Sequence, residues 1–94
     1  MVLIGEVRFP QGHRKFFDGT SGDREISEHV TFDPPFTRPP KVIVGLQKID
    51  VGDTISRIAV SAQNIQSDGF DVCFKTWLDS KLYDAIASWI AVGD

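Results

Sequence analysis

The sequence predicts an all-β fold, a sandwich or a barrel, on three observations. Five or six short runs rich in Val, Ile, Phe, Thr and Trp follow one another along the chain, and clusters of Gly, Pro and Asp separate them. Within the runs, apolar residues recur at every second position. The pattern is clearest in "DGFDVCFKTWLD" (Asp68 to Asp79), where Phe70, Val72 and Phe74 fall on one face and Asp71, Cys73, Lys75 and Trp77 on the other. Helical spacing finds little support.

The first run is Leu3 to Phe9. After it comes "PQGHRKFFDGTSGDR", a Gly-bearing connection longer than a hairpin needs, and loops of that length often carry function. The second run, Glu25 to Phe32, places His29 on a polar face with Glu25, Ser27 and Thr31. "DPPFTRPP" then holds four prolines, which cannot donate to a sheet ladder, so it reads as a crossover or edge connection between sheets. The third run is Lys41 to Lys48, and "DVGD" turns the chain into the fourth, Arg57 to Ile65. "SDG" supplies the turn into the fifth, Phe70 to Trp77, and the sixth is Tyr83 to Val92.

Two runs are apolar on both sides. "KVIVGL" is almost continuously apolar, and the last run carries Ala85, Ala87, Trp89 and Ala91 on one face with Ile86, Ile90 and Val92 on the other. Antiparallel sheets normally leave one face wet, so a second apolar face implies a cover. A neighbouring subunit would supply it, and so would long loops of the same chain.

Length and composition set the remaining bounds. Ninety-four residues, 41% hydrophobic and 24% charged, predict one globular domain over residues 1–94. A chain of this size buries only about 60–65% of its unfolded surface, so association would help it. The formal net charge is −3 and the basic residues are scattered, which argues against a nucleic-acid partner; the densest basic group, His13 to Lys15, reads as a solvated turn. Cys73 is the only cysteine, so no intramolecular disulfide forms. No run reaches the ~18–20 apolar residues of a membrane-spanning helix. The start "MVLIGEVRFPQG" lacks a basic segment followed by a long apolar one, so no export signal is read; synthesis in the cytoplasm with non-classical release and an extracellular mature fragment both stay open.

Catalysis and metal binding find little footing. A Cys73–His29 nucleophile pair would have to be assembled by the fold, and no other titratable groups have motif spacing. "DGTSGD" (Asp18 to Asp23) lacks the alternating ligands and terminal Glu of a calcium loop. The expectation is a binding protein with no enzymatic activity, no metal and no cofactor.

The ordered set "VTF…PPFTRPPKVIVGLQKID" and "RIAVSAQNIQSDGFDVCFKTWLDSKLYDAIASWIAVGD" resembles the H-type lectin domain of snail agglutinins and of the discoidins' C-terminal domain. The resemblance runs from Gly5 to Ile90. Its most specific parts are Arg38 to Pro40, Gly69–Phe70, Thr76–Trp77 and Ser88 to Ala91. It implies a six-stranded antiparallel β-sandwich that forms homotrimers, paired into hexamers in some members. It also implies a lectin for galacto-configured sugars, galactose and N-acetylgalactosamine, bound in a shallow site at the subunit boundary. The alternative is a structural trimerisation or adhesion module of a larger assembly, with a degenerate sugar site.

By the same resemblance, Arg57 matches the arginine that hydrogen-bonds the sugar and Trp77 the aromatic platform beside it. A pyranose has a face of C–H groups, to which an indole offers a flat partner. Trp89 falls in the core pattern. Gln63 could add an amide contact. Leu78 stands where the snail agglutinins have a histidine. The family's neighbouring-subunit loop supplies an acidic and small residues; here the placement is either Asp18 with Gly19 and Ser21, or Asp23 as the acidic ligand. The snail domain's cysteine pair falls on Phe9 and Phe74, implying an apolar contact in place of a covalent one. The inter-trimer cysteine falls on Thr37, which removes the covalent route to a hexamer.

Overall fold

Alternation at period two decides the architecture. In the computed structural model, which describes residues 1–10, 16, 22–52 and 57–94, six strands form: β1 (Val2–Arg8), β2 (Arg24–Thr31), β3 (Lys41–Asp50), β4 (Ile58–Gln66), β5 (Gly69–Thr76) and β6 (Asp84–Val92). They make two three-stranded sheets, ordered β1-β6-β3 and β2-β5-β4, with every pair antiparallel. The six runs expected from the sequence are these six strands, and the sheets face each other as a sandwich.

The core lies between the sheets. From the central strand β5, Phe70, Val72 and Phe74 point inward and are fully buried, and central strand β6 answers with Ala85, Ala87 and Ala91. Large side chains on one sheet thus meet small ones on the other, which lets the layers interdigitate. Trp89 is the exception on β6. Its indole packs against Phe70 and Phe32, with ring centroids 5.4 and 5.9 Å away. Gly5 lies opposite it on β1, and a Cβ there would sit 2.7 Å from the indole, so glycine is what makes room for the ring.

The proline-rich segment does cross between sheets, leading from β2 in one to β3 in the other. Phe36 anchors it, buried against Phe32, while its amide donates to the Ser67 carbonyl. The two chain ends meet at this same end of the molecule. The Met1 ammonium donates to the Gly93 carbonyl at 2.6 Å, the Gly93 amide donates back to Met1, and Asp94 pairs with Arg38 and accepts from Thr37.

The outer faces differ. That of β2-β5-β4 is polar: His29 bonds Asp71 at 2.8 Å, Asn64 donates to the other Asp71 oxygen, and the Cys73 thiol donates to Glu25. That of β1-β6-β3 carries a row of isoleucines, Ile4, Ile90 and Ile43, side by side across its three strands. Ile4 is 73% exposed and Ile43 61%, with Val2 and Val92 exposed beyond them. Among the described residues, no loop of the same chain covers this row. Nor is any described helix long and apolar enough to cross a membrane.

Candidate functional site

Three segments end together at one end of the β2-β5-β4 sheet. Thr76 of β5 is the last paired residue, facing Arg24 of β2 on one side and Ile58 of β4 on the other. Continuing that register by one residue sets Asp23, Trp77 and Arg57 in a single line across the sheet end. Arg57, directly before β4, and Trp77, directly after β5, are thereby neighbours although twenty residues separate them in sequence. The half-buried Trp77 follows directly on the buried Thr76, and Asp23 is exposed.

Beyond Trp77 the chain makes a tight turn through Leu78 and Asp79 to Ser80, whose amide donates to the Trp77 carbonyl at 3.4 Å. Leu78 adopts φ 58°, the left-handed region that branched side chains rarely occupy, and its side chain is 57% exposed. Ser80 is fully buried. Its hydroxyl accepts from the Arg57 amide at 2.9 Å and from Arg57 Nη1 at 3.2 Å. Arg57 Nη1 also donates to Asp79 Oδ1 at 2.8 Å. That bond, then Asp79's own backbone and the charge of Arg57, hold the Asp79 carboxyl below its ordinary range. The guanidinium is therefore pinned from the turn side, and its side chain keeps 31% exposure.

A planar, fixed, multi-donor cation beside an indole suits a ligand with adjacent oxygens on one edge and C–H groups on one face. Leu78 adds apolar surface and no hydrogen-bonding atom. Asp23 lies across Trp77 from Arg57 and is the described acidic candidate of the first loop. Asp18, Gly19 and Ser21 lie outside the described residues, as do His13 to Lys15 and most of the loop considered for calcium. Gln63 is not brought to this group: it is about six residues along β4, roughly 20 Å at the rise of a strand, and its amide donates to Ser61.

Asp79, Ser80 and Arg24 belong to the site's framework and carry no sequence signal beyond proximity to Trp77 or to a strand start. Cys73 and His29 do not form a nucleophile pair. Ser27 faces Cys73 and Asp71 faces His29 in the register. Burial, then the bond to Glu25, pushes the Cys73 thiol up, opposite to what a reactive thiolate needs. Among the described residues, no three His, Cys, Asp or Glu side chains gather to hold a metal ion. A shallow depression of about 800 Å³ lies elsewhere, on the outer face of β1-β6-β3, lined by Ile4, Glu6, Ile43, Gly45, Ser88 and Ile90 among others.

Comparison with known proteins places this geometry in context. The model of the H-type lectin domain matches residues 27–92. The chain is 45% identical over 74 residues to "ATP synthase subunits region ORF 7" of Fuscovulum blasticum, covering 78% of this chain and 64% of that protein. It is 36% identical over 93 residues to discoidin-2 of Dictyostelium discoideum, covering 97% of this chain and 35% of that one. The solved structure of wild-type discoidin II from Dictyostelium discoideum superposes with a TM-score of 0.85 at 34% identity, covering 99% of this chain and 36% of that one. The chain thus spans about a third to two thirds of the length of these relatives.

Proposed function

The chain belongs to the H-type lectin family, and on that premise we propose that it binds carbohydrate, with galacto-configured glycans ending in galactose or N-acetylgalactosamine as its ligands. The observation that carries this reading is the placement of Arg57 and Trp77 next to the paired Ile58 and Thr76 at one sheet end, one offering fixed donors and the other a flat apolar partner. Residues 1–94 act as one binding domain, and the function is recognition without catalysis. Arg57 donates to ring-substituent oxygens, Trp77 stacks on the C–H face, and Leu78 borders the apolar side. An acidic residue of the neighbouring protomer's first loop, Asp23 or Asp18 with Gly19 and Ser21, accepts from the axial hydroxyl that separates galacto from gluco sugars.

In the same reading the site lies at the boundary between protomers of a homotrimer. The exposed isoleucine row supports the association, because removing such a face from water stabilises it at about 25 cal/mol per Å². Binding per site is weak, and several sites engage a glycan surface together. A second reading is a trimerisation or adhesion module with a degenerate sugar site. Leu78 favours it, since it presents no hydrogen-bonding atom beside the platform.

A glycan array with the purified protein tests the proposal. Hits concentrated on terminal galactose and N-acetylgalactosamine are expected. An array without sugar hits, from a protein that still associates, selects the second reading.

A further inference from the structure

Arg24 opens β2 yet is only 6% exposed. Its guanidinium reaches three backbone carbonyls from two separate segments. Nε donates to Gly22 at 2.9 Å, Nη2 to Leu78 at 2.7 Å and Nη1 to Ser80 at 2.8 Å. The Leu78 carbonyl is also taken by the Gly22 amide at 2.9 Å, which closes a small ring of bonds between the end of the first loop and the turn after Trp77.

We propose that Arg24 is the positioning residue of the binding site: it holds the turn of residues 77–80 in its binding geometry and ties the first loop to it. The inference rests on the carbohydrate reading above. Leu78 sits in a backbone conformation that a leucine does not favour, so the turn needs an outside hold to keep it. Arg24 supplies that hold at the carbonyls of residues 78 and 80, the two that set how the turn leaves Trp77 and how it returns. Ser80, once placed, fixes Arg57 through its hydroxyl. One buried side chain therefore stands behind both the stacking platform and the donor cation. Its planar fork suits carbonyls on separate segments; a lysine has one nitrogen and cannot span them in the same way.

The test uses the full chain and three variants. Titration with N-acetylgalactosamine should show at least a tenfold loss of affinity in Arg24→Met and a smaller loss in Arg24→Lys. Without sugar, the Trp77 indole N–H resonance should shift in Arg24→Met. Phe36→Leu, at the opposite end of the sandwich, lowers stability but should leave both readouts unchanged. Wild-type affinity and an unmoved Trp77 resonance in Arg24→Met would overturn the proposal. So would failure of both Arg24 variants to give a cooperative melt, which would make Arg24 a folding residue. If the wild-type protein binds no sugar on the array, the carbohydrate reading falls by itself, and the sugar-free Trp77 resonance still decides whether Arg24 sets the turn.

Discussion

Phe9 and Phe74 meet edge to face, with ring centroids 5.4 Å apart and planes at 80°. Phe74 belongs to β5 and Phe9 follows β1, so the contact joins the two sheets, and Phe16 also packs on Phe9 with ring centroids 4.9 Å apart. These are the positions that the resemblance matches to a cysteine pair, and here an aromatic contact ties the sheets. Phe74→Ala should therefore cost about 3–5 kcal/mol in denaturant unfolding. The wild-type midpoint should be the same with and without reducing agent, since Cys73 is a free thiol.

The two tryptophans should separate cleanly. Trp77 stands at a strand end beside Arg57, whereas Trp89 packs on Phe32 and Phe70 in the core. Trp77→Ala should abolish sugar binding and keep a cooperative melt. Trp89→Ala should cost about 3–5 kcal/mol. Sugar binding that survives Trp77→Ala at wild-type strength would remove the platform from the proposal.

The isoleucine row makes the assembly testable. Light scattering of the wild-type protein should give three times the 10.5 kDa protomer mass. Ile90→Lys, at the centre of the row, should return the mass to one protomer with the strand content retained by circular dichroism. An unchanged mass in that variant would place the interface elsewhere.

Acid should destabilise the fold. Three aspartates have carboxyls held below the ordinary value of 3.8: Asp71 chiefly by Asn64 and then His29, Asp79 by Arg57, and Asp84 by Arg8. A folded-state value below the unfolded one means that the unfolded chain takes up protons first. The stabilisation is then present above about pH 4 and is lost as pH falls through the folded values. The melting temperature should drop as pH falls below about 4, and Asp84→Asn should make that drop shallower. Cys73 has the opposite sign. Its raised value stabilises the fold below pH 9, and that contribution fades as pH climbs through the folded value.

Leu78 sets the expectation for selectivity. Its exposed side chain offers apolar surface beside Trp77, so N-acetylated or extended galacto-glycans should bind more tightly than galactose. Leu78→His should raise galactose affinity several-fold, in line with about 0.5–1.5 kcal/mol for one hydrogen bond. Calorimetry giving the same galactose affinity for both proteins would put position 78 outside the pocket.

The strands were readable because period two is a direct record of which side chains face the core, and Phe70, Val72 and Phe74 show it without ambiguity. The pairing of Arg57 with Trp77 needed the resemblance, since register across strands leaves no trace in the spacing of either run. Gln63 is on β4, which Arg57 directly precedes, but strands extend about 3.3 Å per residue, and closeness in sequence does not make a shared site. Arg24 was illegible for another reason. An arginine at the start of a strand ordinarily faces solvent, and here the carbonyls of a turn some fifty residues later help draw it inside. The apolar outer face was visible as an excess of Ile and Val, while its lack of cover by the chain's own described loops needed coordinates.

The closing of Met1 onto Gly93 has a practical side. The molecule is 44 Å long and 19 Å across, and both termini leave from the end that holds Phe36 and Ser67, away from Trp77 and Arg57. A biotin, dye or bead linker attached beside Met1 or Gly93 would hold the molecule with the proposed site facing outward, so oriented immobilisation on a sensor chip needs no added spacer chemistry near that site.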